Sequence, residues 1–303
     1  MRRKSSLPWQ RPGRVIYEMG TLSIVALLHG PDRPGLVARV AGWIFEQGGN
    51  ILHADQHRDA EENVFFQRVE WAQPSRGDIP QVAASFKAMA HLELGMDCQT
   101  AISNEQARIG MLVSRIPHCL QDLALRFRRG EMSGELVCVV SNHPELRNFC
   151  ESMSLPFHHV DVQANRKTEA EETQLGIFKK YKVDLIVLAR YMQILSGQFL
   201  TEAGVPIINI HHSFLPAFAG GRPYHQAYAW GVKIIGATAH YVSAALDQGP
   251  IIAQDVVRIS HRHTVEDLIR KGQDLEQTVF AQAVRSHLEH RVLVYKHKTV
   301  VFD

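Results

Sequence analysis

The densest run of chemistry-bearing side chains is Asn209-Ile210-His211-His212-Ser213-Phe214-Leu215-Pro216. It stands where the apolar segment Pro206–Ile210 gives way to a polar loop. Asn209 and His211 are two residues apart, so extended backbone puts them on one side. An amide there donates to a developing oxyanion, and an imidazole donates to the same oxygen or shuttles a proton. A second group follows in Gly236-Ala237-Thr238-Ala239-His240 and Leu246-Asp247-Gln248-Gly249-Pro250. Gly236, Thr238 and His240 alternate onto one strand face. A carboxylate at Asp247, held near His211, would orient the ring, raise its basicity, and hold or deprotonate a water. Each motif taken alone has a plainer reading. Asn-x-His also reads as two polar residues satisfying a loop, and Asp247-x-Gly-Pro as a turn.

These residues need elements to hold them. Strands are expected at Ile109–Val113, Leu136–Val140, Phe157–Val160, Val183–Leu188 and Pro206–Ile210. Helices are expected around Leu120–Phe127, Asn142–Cys150 and Thr168–Lys180. Strands alternating with helices argue an open, mostly parallel α/β sheet. The run Val183-Asp184-Leu185-Ile186-Val187-Leu188 is nearly continuous in apolar character, as in a strand covered on both faces. Ligands bind beyond the carboxyl ends of such strands, where Asn209 and His211 stand. Lys233–Val242 and Ile251–Val257 read as paired strands. A long helix is expected from Thr264 toward Glu289, with Thr264 and Asp267 as a capping box and Gly272 as a bend. Thr299–Phe302 is a candidate edge strand.

The N-terminal part has another order. A strand at Leu22–Leu28, a helix with Leu36, Val37, Val40, Ala41 and Ile44 on one face, and strands at Ile51–His57 and Asn63–Trp71 come first. A helix at Pro80–Leu92 and a strand near Leu94–Ile102 complete a ferredoxin-like βαββαβ set. Trp43 reads as a packing residue within the first helix. The expected organisation is a flexible basic tail at 1–20, a ferredoxin-like domain at 21–103, a linker at 104–108 and a catalytic domain at 109–303.

Composition excludes several classes. The 303 residues are 45% hydrophobic and 21% charged, ordinary for a globular chain of two domains. Lys plus Arg number 33 against 31 Asp plus Glu, so a polyanion grip on nucleic acid or membrane is not expected. Tryptophans are scattered, without the basic-aromatic pattern of a stacking platform. No apolar run reaches the roughly 18–20 residues of a membrane span. Arg2, Arg3, Lys4, Arg11 and Arg14 precede the first acid, but Pro8, Pro12 and Gly13 break an amphipathic targeting helix. Cys98, Cys119, Cys138 and Cys150 form no CxxC pair, so reduced, buried thiols in a cytoplasmic protein are expected. The 17 histidines include His158-His159, His211-His212 and His261 with His263, yet no HExxH or Cys/His cluster supplies a zinc set. No metal is expected.

Two resemblances sharpen this reading. Asp32-Arg33-Pro34-Gly35-Leu36-Val37, with Gly49-Asn50-Ile51, resembles an ACT domain over residues 21–102. That family binds amino acids and other small effectors and also serves assembly. The resemblance implies effector contacts at Asp32, Arg33, Gly35, Leu36, Asn50 and Ile51, with glycine or methionine as candidates, and a homo-oligomer. The plainer reading is that Asp32 caps the helix and Gly35 relieves crowding. Ser141-Asn142-His143, Leu188-Ala189-Arg190-Tyr191-Met192-Gln193-Ile194-Leu195, the Asn209–Pro216 block and Gly236–Pro250 resemble the 10-formyltetrahydrofolate-dependent formyltransferase fold. Together with the ACT-like part, the chain is similar to the formyltetrahydrofolate deformylase family.

That resemblance implies hydrolysis of 10-formyltetrahydrofolate to formate and tetrahydrofolate, and a role in balancing one-carbon folate pools linked to purine and glycine metabolism. No tightly bound cofactor is implied, since folate is the substrate. Asn209, His211 and Asp247 match the family's catalytic trio. Arg190, Tyr191, Met192, Gln193, Ile194, Leu195, Thr238, His240 and Leu246 match its folate-binding walls. Formyl transfer to an amine and a non-catalytic amino-acid or folate sensor are the alternatives. Glycinamide ribonucleotide formyltransferases carry Gly-Ser-Asn after the first strand, where this chain has Ser114-Arg115-Ile116-Pro117-His118. Methionyl-tRNA formyltransferases carry a further C-terminal domain, which is not expected here. Gly220-Gly221-Arg222-Pro223-Tyr224 departs from the Gly-Ala-Lys-Pro-Tyr form but keeps a basic residue.

Overall fold

The computed structural model describes residues 22–73, 78–103, 105–217 and 223–303. The basic tail at 1–20, linker residue Asn104 and Gly220–Arg222 lie outside the described residues. The chain divides into two compact units, the first formed before residue 105 except for Asp55–His57, which group with the second.

The N-terminal unit contains β1 (Ser23–Pro31), α1 (Leu36–Glu46), β2 (Asn50–Asp59), β3 (Val64–Ala72), α2 (Ile79–Leu92) and β4 (Asp97–Ile102). Its sheet runs β2-β3-β1-β4, with β1 antiparallel to both β3 and β4. This is the expected βαββαβ arrangement. Trp43 packs edge-on against Phe86 at 5.2 Å, and Trp71 lies 4.9 Å from the same ring. The last strand starts later than expected, because Gly95 takes a left-handed turn at φ 61 before Met96.

Asp32 does not cap α1. The N-cap is Gly35, without a side-chain cap. Asp32 instead pairs with Arg58 Nε at 2.5 Å. Gly35 relieves no crowding either, since a Cβ there would meet nothing within 4 Å. It is needed for its backbone, φ 90, which other residues adopt at a cost.

The C-terminal unit carries β5 (Arg108–Val113), α3 (His118–Arg128), β6 (Glu135–Ser141), α4 (Arg147–Ser152), β7 (Phe157–His159), α5 (Lys167–Lys180) and β8 (Leu185–Ala189). It continues with α6 (Gly197–Ala203), β9 (Ile207–His211), α7 (Pro223–Ala229), β10 (Ile234–Tyr241), β11 (Ile251–Arg258) and α8 (Val265–Leu288). A small hairpin, β12 (Val292–Tyr295) and β13 (Lys298–Val301), follows. The main sheet runs β11-β10-β9-β8-β5-β6-β7, with β5 to β9 parallel and β10 and β11 antiparallel.

The apolar run in β8 divides between two cores. Leu185, Val187 and Ala189 pack with Leu120, Leu123, Val279, Phe280 and Val284. Ile186 and Leu188 pack with Leu175, Phe178 and Phe199 on the other face. That alternation explains why every residue of β8 is buried. The helix expected from Asn142 begins only at Arg147. Ser141 Oγ accepts from His143 N, and Pro144, whose carbonyl accepts from Arg147 N, holds a turn ahead of it. The terminal strand pairs in its own hairpin rather than joining the main sheet.

The capping box at Thr264 and Asp267 is present. Gly272 does not break α8, which runs unbroken for 24 residues. It makes room for a ring: a Cβ there would stand 2.1 Å from Tyr224 Oη. Gly272→Ala is therefore expected to destabilise the fold by about 1–3 kcal/mol through overpacking. Gly176→Ala in α5, where a Cβ meets nothing within 4 Å, is expected to stabilise it by up to about 1 kcal/mol. Urea midpoints of the two variants check both signs, and equal effects would remove the special role of Gly272.

Candidate active site

Asn209 lies within β9 and His211 closes it. The antiparallel neighbour β10 sets His240 opposite Asn209 and Thr238 opposite His211. Asp247 sits in the β10–β11 connection with φ 55, a left-handed conformation that a non-glycine residue adopts at a cost. The turn closes tightly: a Cβ on Gly249 would stand 1.7 Å from the Tyr241 carbonyl oxygen. Glycine at 249 thus lets the turn fold back onto β10.

This folding carries Asp247 Oδ1 to 3.4 Å from His211 Nδ1 and 3.9 Å from His240 Nε2. His240 Nδ1 lies 2.9 Å from the Tyr241 carbonyl, which can only accept, so Nδ1 carries the proton. Its Nε2 is then an acceptor, 3.3 Å from Asn209 Nδ2. The amide of Asn209 is thereby oriented, with its second N–H available to a ligand oxygen. His211 turns Nδ1 toward Asp247, and its buried Nε2 has no hydrogen-bond partner among the described residues. That pattern suits an imidazole whose Nε2 exchanges protons with a ligand.

Burial sets the charges. Desolvation pulls His211 below the ordinary imidazole range, Asp247 pulling it partly back up and His240 and Arg190 pushing it down. His240 is also lowered, chiefly by burial. His212 falls to about 3, from burial and then the Arg190 charge. The three imidazoles are neutral at neutral pH.

A cavity of about 320 Å³ opens beside these groups. Asn209, His211, Asp247 and His240 line it, as do Arg190, Tyr191, Met192, Gln193, Ile194, Leu195 and Leu246. Met192, Ile194 and Leu246 are all more than half exposed, an apolar rim suited to a flat ring system. The Tyr191 side chain packs in the core, with its hydroxyl accepting from Gln174 Nε2 at 2.9 Å.

Thr238 does not line the cavity. It is wholly buried, and its hydroxyl donates to the Ser213 carbonyl while accepting from Leu215 N and Gln254 Nε2. It fixes the loop after His211 instead of meeting a ligand. Ser114, at the end of β5, does similar work. Its hydroxyl donates to Asn142 Oδ1 at 2.7 Å and accepts from Met192 N at 3.2 Å, anchoring the rim loop.

The six candidate effector residues are not gathered. Asp32 pairs with Arg58 and Arg33 Nη2 donates to the Glu93 carbonyl, while Leu36 is buried. Asn50 and Ile51 begin β2, whose other end turns into β3. Pro31 stands opposite Val64, the first residue of β3, so Asp32 lies by that turn and Asn50 at the far end of the sheet.

Behind the cavity lies a buried network not anticipated from sequence. Glu276 of α8 is 1% exposed. Its Oε2 is 2.8 Å from His118 Nε2 and its Oε1 accepts from Tyr224 Oη at 2.5 Å. Arg190 Nε stands 3.6 Å from Oε2. Burial raises the Glu276 carboxyl, but His118, Arg190 and Tyr224 outweigh it and hold it below its ordinary value. His118, Cys119 and Glu276 place possible ligand atoms within 4.8 Å of one another. Both carboxylate oxygens are already engaged and a guanidinium stands beside them, so the trio does not fit a cation.

Residues 107–284 match the family model described as formyl transferase. A formyltetrahydrofolate deformylase of Synechocystis is 47% identical over 94% of this chain and all of that protein. The chain belongs to the formyltetrahydrofolate deformylase family. The Bacillus subtilis deformylase is 42% identical over 91% of this chain and 93% of its own length. The crystal structure of a Pseudomonas syringae deformylase superposes with a TM-score of 0.89 at 42% identity, covering 95% and 96% of the two chains. The C-terminal unit's fold extends further. A glycinamide ribonucleotide transformylase of Symbiobacterium toebii gives a TM-score of 0.62 at 31% identity, over 67% of this chain and 97% of that one. Deformylase and transformylase thus share one sheet architecture.

A neutral His211 requires that activity persist below its ordinary pKa. If His211 is the base, the acid limb of kcat/KM is expected below about pH 6.5. Asp247 raises His211, so Asp247→Asn is expected to move that limb lower still. A pH–rate profile of both forms checks the sign, and an upward shift would remove Asp247 from this role.

Proposed function

We propose that this chain hydrolyses 10-formyltetrahydrofolate to formate and tetrahydrofolate. The supporting observation is that Asn209, His211 and Asp247 stand together on one wall of the apolar-rimmed cavity. Met192, Ile194 and Leu246 receive the folate ring system, and the formyl group lies against β9. Asp247 orients His211 and, with it, holds the water. His211 Nε2 accepts the water's proton as the oxygen attacks the formyl carbon. The oxyanion is held by the Asn209 amide and the protonated imidazole. His211 then returns the proton to N10, directly or through water, as the C–N bond breaks. Folate is the substrate, and the residues named suffice for the proton transfers.

Hydrolysis is favoured over amine transfer by the side of the site facing α3. A ribonucleotide acceptor needs a backbone nest for phosphate at the turn after β5. Here Arg115 is paired with Glu145 at 3.1 Å, Pro117 lacks an N–H, and His118 starts α3 bonded to Glu276. These features disfavour a phosphate nest at this turn and so favour water as the acceptor.

The N-terminal unit supports assembly into a homo-oligomer, and regulation by an amino acid such as glycine or methionine would need a site completed by a second copy, since the candidate residues of one copy stand at opposite ends of the sheet. Phe45 and Leu92 are about four-fifths exposed, apolar surface available to a second copy. The four cysteines are free and buried, with Cys98 and Cys138 pushed up to about 12 by burial, in keeping with inert thiols in the cytoplasm. Among the described residues no helix is long and apolar enough to cross a membrane.

Asp247→Ala is expected to lower kcat and kcat/KM together by at least ~10²-fold, while folate affinity changes much less. Formate and tetrahydrofolate, quantified side by side, check it, and a near-normal kcat would sink the assignment. Adding glycinamide ribonucleotide is expected to give no formylated product by mass spectrometry. A chain shortened to begin at Gln106 is expected to fold yet lose association in sedimentation, and an unchanged assembly would argue against the N-terminal role.

A further inference from the structure

The cavity's rim loop, residues 190–196, connects β8 to α6 and has no regular structure. Among the described residues, none of the N–H groups from Tyr191 to Ser196 donates to a backbone carbonyl. The loop therefore takes its shape from side chains that reach it from elsewhere in the unit. Ser114, at the end of β5, accepts from Met192 N at 3.2 Å. Gln174 of α5 donates to the Tyr191 hydroxyl at 2.9 Å. Glu171, also of α5, takes the last residue of the loop. Its Oε1 accepts from Ser196 N at 2.9 Å, and its Oε2 accepts from Ser196 Oγ.

The tether at Glu171 is unlike the other two, because it is a carboxylate that is only 7% exposed. It shares the buried face of α5 with Leu175 and Phe178, four and seven positions on. Burying a charge there is costly, and an apolar residue of similar volume commonly serves stability as well or better. Lys167 stands 3.7 Å from Oε1 and offsets the charge in part. The carboxylate is not needed to start α6 either, since Ser196 Oγ already caps that helix by accepting from Phe199 N at 3.0 Å. What the acid adds is a fixed position for Ser196 N. With Gln174 three positions on, α5 thus holds the loop near both of its ends. Between those ends Met192 and Ile194 are more than half exposed, so the backbone that carries them sets where they point.

We propose that Glu171 is a positioning residue for folate binding, acting through Ser196 to hold the rim loop in the shape that receives the ring system. This rests on the reading of that loop as a folate wall. Glu171 is not among the residues that line the cavity, and it takes no part in the proton transfers at His211. Its loss weakens substrate and transition state alike, which raises KM and leaves kcat in place.

Steady-state kinetics of the full chain with 10-formyltetrahydrofolate test this. Glu171→Leu fills the space without an acceptor and is expected to raise KM at least ~10-fold, with kcat within about twofold. Glu171→Gln keeps one carbonyl oxygen for Ser196 N and is expected to bring KM to within about threefold of the unsubstituted chain. Glu169→Gln removes an equal charge from the exposed side of the same helix, where Glu169 pairs with Arg166, and is expected to leave KM unchanged. Should Glu171→Leu not fold, Glu171→Asp keeps the charge but draws the carboxylate back by one methylene, and a raised KM is expected there. Ile194→Ser, on the loop itself, separates the two claims. If it raises KM and the folded Glu171 variant does not, the tether is overturned and the folate wall stands. If neither raises KM, the reading of the loop falls and the proposal with it. A fall in kcat at unchanged KM also overturns the proposal, as does a KM for Glu171→Gln no lower than for Glu171→Leu.

Discussion

A buried carboxylate organises one side of the catalytic unit. Glu276 sits in the middle of α8, and a charge so enclosed costs several kcal/mol unless it is paired. Its partners come from three other places in the chain. His118 opens α3, Tyr224 lies in α7, and Arg190 follows β8. None of these elements can shift without stranding a buried charge. Gly272, one turn before Glu276 on the same helix face, leaves the space that Tyr224 needs to reach the carboxylate. The cavity's back wall is therefore set by polar satisfaction, whereas the sheet behind it is set by apolar packing on two faces.

The opposite wall obeys a different constraint. His211, His212 and His240 are all driven toward neutrality by burial, and only His211 has a carboxylate within 3.4 Å. Asp247 and His211 are thus better described as an oriented imidazole than as a standing ion pair. His240 is locked by its own carbonyl contact and spends its second nitrogen on Asn209. Three side chains on two adjacent strands reach one geometry because β9 and β10 are in a fixed antiparallel register. Thr238, one cross-strand pair away, ties down the loop that follows.

Much of this was legible because it is local. Asn209 and His211 alternate on one strand, and Gly249 marks the turn that returns Asp247 to them. The β8 run announced a strand covered on both faces. Glu276 was not legible, since a glutamate in an amphipathic helix reads as a solvent-facing residue. Its partner His118 lies 158 positions away, so no local spacing signals the pair. Thr238 shared the right strand face but lay one pair too deep to meet the cavity. Asp32 looked like a helix cap because it precedes a helix, yet Arg58 from β2 claims its carboxylate. In each case a contact between distant segments overrode a sound local expectation.

The fold leaves the choice of acceptor open, since a protein named as a transformylase shares the sheet. What can decide between water and an amine is the volume on the α3 side of the reacting carbon. In this chain His118, the first residue of α3, is tied with Tyr224 to the buried Glu276 by bonds of 2.8 and 2.5 Å. Displacing that network would expose a buried carboxylate whose desolvation has already been compensated. Water needs no such displacement. The left-handed backbone at Arg190 is the local cost of bringing its guanidinium to 3.6 Å from that carboxylate.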